Sequence, residues 1–355
     1  MPFTFLTNGG GKTEEEKAAE LSQMLDGVPI DPALYIQSHT PYRELAPQYV
    51  NKTVVVVGQD PCKAREILLG YGFTDVVTTG ELHAAFPTLW PFVPLPGSGE
   101  ACDPQSARGP ISLDTRYAAA FVINDPSHWQ LDLQVLVDLL VSDGGRLGTT
   151  TAGHGGGGPA TPHLYFSASD LEFSSAWPVP RFGQGSFLAS LRGIWAAKTG
   201  GAGDAFPHDI HGKPMASQYS FVERTEKALQ ETRTGRHCVL ERNYSKHFSR
   251  DSLFSCLRWR TLGLGLPPLP FSNSPSVRLQ LTRYTAVVGD NPESDIRGAL
   301  GYNSSQGTRW FGVLVKTGVW DGVSTPSVEP SFVADGVKEA VELIGRLENV
   351  GLTVA

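Results

Sequence analysis

Two carboxylates five residues apart, Asp290 and Asp295, stand in the segment Val288-Gly289-Asp290-Asn291-Pro292-Glu293-Ser294-Asp295. An apolar run precedes them and a helical pattern follows. That places them at the carboxyl end of a strand, where parallel α/β sheets bind ligands. Such hard oxygen ligands suit Mg²⁺, which uses one or two carboxylates and completes its shell with water and phosphate oxygens. The plainer alternative is a solvated acidic turn in which Asp290 caps a helix. A second group is His211-Gly212-Lys213-Pro214. A lysine fixed between glycine and proline at a strand-to-helix junction meets a phosphate as a point charge, although most lysines are merely solvated. The third is Phe5-Leu6-Thr7-Asn8-Gly9-Gly10-Gly11. A hydroxyl at a strand end, beside free N–H groups at a helix start, makes an anion site. Gly11-Lys12-Thr13 is not a P-loop, because Leu6 stands where that pattern needs glycine. His154, ahead of four glycines, has no flanking ligand, and a metal role for it is set aside.

These groups need elements to hold them. Apolar runs predict strands over 3–7, 35–37, 53–58, 76–78, 118–123, 164–166, 286–289 and 311–315. The run Thr53-Val54-Val55-Val56-Val57-Gly58 is β-branched throughout, as in a strand buried on both faces of a parallel sheet. Helical spacing predicts helices over 12–25, 41–49, 63–71, 131–141, 185–198 and 333–347, with another after Pro214. The alternation argues for a mostly parallel sheet. Residues 143–162, rich in glycine and threonine, read as a surface loop. Residues 235–283 lose the α/β rhythm and are too long for a plain connection. They read either as a disordered insertion or as translated intron.

The chain has 355 residues, with 29 Lys and Arg against 36 Asp and Glu, a net charge of −7. An acidic balance without a basic stripe excludes nucleic acid as the expected partner, since phosphate backbones are held mainly by Lys and Arg. No apolar run is long enough to span a bilayer. Cys62, Cys102, Cys238 and Cys256 are widely spaced and form no C-x-x-C pair. Neither a disulfide framework nor zinc is expected, and a reducing compartment is the inference.

Taken in order, the strand-end Thr7, the Gly212-Lys213-Pro214 lysine and the acidic pair Asp290/Asp295 resemble the motifs of the haloacid dehalogenase (HAD) superfamily. Gln37-Ser38-His39-Thr40-Pro41 and Arg181-Phe182-Gly183-Gln184-Gly185 narrow the resemblance to capped class IIA hydrolases and, among them, to the eukaryotic cat-eye-syndrome-region hydrolase-like family. It covers most of the chain except about 235–283. It implies an α/β fold, a Rossmann-like three-layer core with an inserted α/β class II cap. The implied domains are core at 1–50, cap at 51–176 and core again at 177–355. It also implies Mg²⁺-dependent hydrolysis of a small phosphorylated molecule. Thr7 would hydrogen-bond a phosphoryl oxygen with help from Asn8, and Lys213 would neutralise charge. Asp290 would hold the metal with Asp295 in support. A mitochondrial location and a link to phospholipid metabolism come with the resemblance, a cytoplasmic location being the alternative. Oligomeric state is not legible.

The family's nucleophile is the first aspartate of a D-x-D motif, and this sequence contains no D-x-D. Asp132 stands in Leu-Asp-Leu, on a predicted cap helix. The opening residues read as a strand already under way, and the sequence is read as an incomplete gene model rather than a natural catalytic orphan. The competing reading is an inactive HAD-fold binding protein. Loss of the nucleophile strand is expected to leave two bare edges inside the core sheet. His39, Trp129 and Tyr165 are the loosest candidates for lining a substrate pocket.

Overall fold

The computed structural model describes residues 3–92, 102, 110–151, 161–173, 175–201, 203–232, 255–259 and 283–349. His154, residues 152–160 of the glycine-rich loop and nearly all of 235–283 lie outside the described residues. Contacts divide the chain into two compact units, one of residues 7–218 and one joining residues 1–6 to 219–355.

The chain opens with β1 (Phe3–Leu6) of the second of these units and then builds the first. Helix α1 (Glu14–Met24) begins at a capping box: Thr13 accepts from the Glu16 N–H while the Glu16 side chain accepts from that of Thr13. Short β2 (Tyr35–Ile36) follows. The helix predicted over 41–49 is instead two 3₁₀ turns, Thr40–Glu44 and Ala46–Tyr49. Pro41 and Pro47 sit in the first turn of each, where a missing N–H costs nothing, and an unbroken α-helix would have buried Pro47 mid-ladder.

Then come β3 (Thr53–Val57), α2 (Pro61–Gly70), β4 (Asp75–Thr78), α3 (Thr79–Ala85), β5 (Tyr117–Val122), α4 (Trp129–Val141) and β6 (His163–Phe166). A small antiparallel ribbon, β7 (Glu172–Phe173) with β8 (Arg181–Phe182), leads to α5 (Gln184–Thr199) and β9 (His208–Ile210). The order β4-β3-β5-β6-β9 is parallel throughout. Val54 and Val56 point into a cluster with Ile67, Leu68, Phe73 and Phe121. Val55 and Val57 point into another with Leu136, Leu140, Phe187 and Trp195. All four valines are buried, and at about 1.5–3 kcal/mol each they explain why this run carries no polar residue.

Helix α6 (Ala216–Thr232) leads into the other unit. Strands β10 (Ser255–Trp259), β11 (Arg283–Gly289), β12 (Thr308–Val315) and β13 (Phe332–Ala334) complete its sheet, with α7 (Arg297–Gly301) between β11 and β12 and α8 (Val337–Asn349) last. The order is β13-β12-β11-β10-β1. Strands β11, β12 and β13 are parallel, and β10 runs antiparallel to both of its neighbours. The two bare edges expected inside the core sheet are therefore covered, by a strand from a stretch that the sequence reads as irregular. The helix predicted from 333 starts only at Val337, because Phe332–Ala334 pairs with β12 before Asp335-Gly336 turns the chain. Ala286, Val288, Val313, Val315, Ala340 and Ile344 form the core beneath α8. Elsewhere in the unit, buried Glu223 accepts from Trp310 Nε1 at 3.2 Å, Tyr302 OH at 3.0 Å and Ser304 Oγ at 2.7 Å.

Cys62 and Cys102 are joined in a disulfide. The sequence argues against a disulfide framework from spacing, but pairing depends on spatial approach, and their Cα atoms lie 5.0 Å apart across 40 positions.

Candidate functional site

The sequence-predicted residues fall into two clusters, one in each unit. In residues 7–218, Thr7, Asn8 and Lys213 come together. Thr7 Oγ1 accepts from the Gly9 N–H at 2.9 Å, which turns the chain into the glycine loop. Asn8 grips the backbone of Lys213 on both sides: Oδ1 accepts its N–H at 2.7 Å and Nδ2 donates to its carbonyl at 2.9 Å. Nδ2 also donates to Asp170 Oδ2 at 2.6 Å. Lys213 is buried. Gly212 has φ of +74°, and a Cβ there would collide with the Ser167 carbonyl and stand 3.0 Å from Asn8 Oδ1. Only glycine lets the lysine approach Asn8 in this way.

Asp125 and Asp170 belong to this cluster and were missed from sequence. They follow β5 and β6 by a few residues, at the carboxyl end of the parallel sheet, which is the signal that marks such positions. Burial raises the Asp125 carboxyl above its ordinary value, against the Gln184 backbone N–H, and the Asp170 charge adds to the rise.

The glycine loop rests on a buried polar chain. Glu14 Oε1 accepts from Thr40 Oγ1 at 2.7 Å and from Tyr71 OH at 2.5 Å, and Tyr71 OH meets His39 Nδ1 at 2.8 Å. His39 is fully buried, and desolvation lowers its pKa to about 3, so the ring is neutral. A Cβ on Gly10 would lie 2.8 Å from the His39 ring and 3.0 Å from the Ile123 carbonyl. The Gln37–Pro41 motif thus shapes the floor under Gly10. In the Arg181–Gly185 motif, Gln184 Oε1 accepts the Ala168 N–H at 2.7 Å and Gln184 Nε2 donates to Ser167 Oγ at 3.1 Å. Gly183 lets α5 start flush against the Asp170 carbonyl, 2.5 Å from where its Cβ would be.

Of the three loosely held pocket candidates, His39 and Tyr165 are buried and Trp129 is half-exposed. His39 is the floor just described. Tyr165 stacks on Phe121 with ring centroids 4.7 Å apart and shares a 2.8 Å hydrogen bond with Tyr49 OH. Trp129 packs edge-on against Phe187 and donates from Nε1 to the Pro126 carbonyl at 2.7 Å.

In the other unit, Asp290 and Asp295 are both buried. Asp290 directly follows β11; its Oδ2 accepts the Val319 N–H at 2.6 Å and its carbonyl accepts that of Trp320 at 3.0 Å. A Cβ on Gly318 would collide with this carboxylate. The spacing of five is spanned by one π-helical turn, Pro292–Ile296, capped by Asn291. Asp295 Oδ2 accepts the Asn291 N–H at 3.1 Å, and Gly289 leaves room for that carboxylate. The acidic turn is therefore not solvated, and its helix cap is Asn291 rather than Asp290.

Two carboxylates are hard oxygen ligands, and no group of three or more His, Cys, Asp or Glu gathers among the described residues. Carboxylate oxygens are the ligand type that Mg²⁺ takes alongside water and phosphate oxygen. Among the described residues no helix is long and apolar enough to cross a membrane.

The haloacid dehalogenase-like hydrolase family model matches residues 1–74, and a HAD-hydrolase-like model matches residues 274–340. A mitochondrial hydrolase of Saccharomyces cerevisiae is 31% identical over 342 residues, covering 96% of this chain and 85% of that one. A cardiolipin synthase/mitochondrial hydrolase fusion protein of Schizosaccharomyces pombe is 32% identical over 344 residues; the chain spans 47% of its length. Two solved structures share the fold, each with a TM-score of 0.51. One is a hypothetical protein of Pyrococcus horikoshii, 16% identical, with 97% of this chain and 87% of that one covered. The other is a p-nitrophenyl phosphatase of Archaeoglobus fulgidus, 14% identical, with 96% and 85% covered.

Proposed function

The chain belongs to the haloacid dehalogenase-like hydrolases, and on that premise we propose a protein built around Mg²⁺-dependent hydrolysis of a small phosphate monoester, with residues 51–176 as its cap and residues 1–50 and 177–355 as its core. The observation that carries this reading is the two-sided grip of Asn8 on Lys213. A buried lysine whose peptide is clamped in place meets a phosphoryl oxygen without losing the freedom of a surface side chain. Thr7 and Asn8 set the loop that presents backbone N–H groups to the same oxygens. Asp290, with Asp295 stiffening the turn behind it, would hold the Mg²⁺. When bound, the ion would screen phosphoryl charge and orient the group.

The sequence contains no D-x-D, so these residues bind and orient a phosphoryl group but supply no attacking carboxylate. Removing the nucleophile from another covalent hydrolase costs on the order of 10⁶ in turnover. The 355-residue chain therefore acts as a binding protein for a small phosphorylated molecule. The yeast relatives, one described as a mitochondrial hydrolase and the other as a fusion protein that includes one, support a mitochondrial location.

The test is phosphate release from p-nitrophenyl phosphate with Mg²⁺ by the full chain, run beside a binding titration with inorganic phosphate. Saturable binding without release is the expected outcome. Magnesium-dependent release above blank refutes the binding-only reading, and absence of binding refutes the phosphoryl site itself.

A further inference from the structure

Cys62 is the second residue of α2, just beyond the end of β3. Its N–H donates to Asp60 Oδ1 at 3.0 Å, so the helix cap fixes its position. Its surface is exposed, while its partner Cys102 is partly buried. Their 5.0 Å Cα separation lies inside the range a disulfide needs, about 4.4–6.8 Å. One sulfur of the pair is thus open to a dissolved thiol. Exposed disulfides are the ones that exchange, whereas buried ones resist reduction.

The location gives the bond a consequence. The turn between β3 and α2 belongs to the carboxyl edge of the parallel sheet. There Gln59 N–H donates to Asn124 Oδ1 at 2.9 Å, and Ser127 Oγ donates to the Gln59 carbonyl at 2.9 Å. Lys63, the next residue, ties α2 to α1 through Glu16 at 2.9 Å. A covalent link from Cys62 to Cys102 pins position 102 beside this edge and closes a loop of 40 positions.

We propose that Cys62 and Cys102 form a reversible disulfide, set by exchange with a small thiol–disulfide couple of the glutathione class. A thiolate of the couple attacks one sulfur of the pair, forms a mixed disulfide and releases the other cysteine as a thiolate. A second thiol displaces the first. The net change is two protein thiols formed and one small-molecule disulfide produced, and the reverse direction restores the bond. The oxidised form tethers position 102 to α2, and the reduced form releases it. This inference does not depend on the phosphatase reading.

The experiment equilibrates the full chain with glutathione mixtures from fully reduced to fully oxidised, quenches free thiols with iodoacetamide, and maps tryptic peptides. Cys62 lies in peptide 53–63 and Cys102 in peptide 66–108. The expected result is a cross-linked pair of these peptides whose fraction follows the mixture through a midpoint. Cross-linking that persists in excess reduced glutathione overturns the proposal, because the bond would then be a permanent staple. Alkylation of both cysteines in every mixture overturns it as well. The oxidised chain should melt about 5–10 °C above the reduced one, as a loop of this length constrains the unfolded state, and Cys62→Ser should melt like the reduced chain in both buffers. Equal melting of the two wild-type forms contradicts the tether.

Discussion

Asn8 holds Lys213 by both of its main-chain groups, accepting the N–H at 2.7 Å and donating to the carbonyl at 2.9 Å. A primary amide fits a peptide edge in this way, and a carboxylate does not. In Asn8→Asp the donor becomes a charged acceptor facing the Lys213 carbonyl and Asp170 Oδ2, now 2.6 Å from Nδ2. A buried group stripped of its partner costs about 1–3 kcal/mol. Asn8→Asp should therefore lower the urea unfolding free energy by at least that much and weaken phosphate binding. Unchanged stability and affinity would mean that the clamp is incidental.

Asp132 faces Thr79 Oγ1 at 2.7 Å inside the packed α4, and burial raises its carboxyl to about 7. Between its ordinary value of 3.8 and about 7, the folded chain binds the proton more tightly than the unfolded chain does. The contribution of Asp132 to stability is then full below that window and is lost as pH rises through it. In Asp132→Asn the amide keeps an oxygen for Thr79 and carries no charge. Its stability relative to wild type should improve with pH by up to about 1.4 kcal/mol per unit, levelling off above about 7. A pH-independent difference between the two chains, by urea titration, would contradict this.

His39 slopes the other way. Its ring is held neutral down to about 3 in the fold, against 6.5 ordinarily, so the unfolded chain takes up the proton first. Its contribution is complete above 6.5 and declines as pH falls towards 3. His39→Asn, which has no proton to gain, should flatten the acid limb of the stability profile relative to wild type. Parallel profiles would place the acid sensitivity elsewhere.

The antiparallel strand β10 lies between β1 and β11 and pairs with both. A proline at its centre, Leu257→Pro, removes one ladder N–H from a strand with a neighbour on each side, where proline is not accommodated. The expected outcome is loss of cooperative unfolding in the unit that contains β11, seen as faster amide exchange over 283–289. Unchanged exchange there would show that the sheet does not rely on this strand.

What the sequence made legible were the features coded by local pattern. The valine run of β3 announced a doubly buried strand because no position along it could be polar. The helical spacing over 12–25 announced α1, which runs from Glu14 to Met24. The glycine and proline around Lys213 marked a constrained junction in the sequence, and the structure gives Gly212 a positive φ there. Features set by approach in space stayed hidden. Asp170 reaches Asn8 across 162 positions and Cys62 reaches Cys102 across 40, and no periodicity reports such pairs. The role of β10 was hidden for a related reason: its five residues gain their strand conformation from two neighbours far away in sequence. At 41–49 the apolar pattern suggested a helix, and two prolines decided for 3₁₀ turns.

The proposed roles, Lys213 meeting a phosphoryl group and Asp290 holding Mg²⁺, are tested most directly by a calorimetric titration of inorganic phosphate into the full chain, with and without Mg²⁺. Wild type should bind saturably and more tightly with Mg²⁺. Lys213→Met should lose binding under both conditions while keeping a cooperative melt, and Asp290→Asn should lose only the magnesium enhancement. Phosphate binding that is absent in wild type, or that survives unchanged in both variants, would contradict the account.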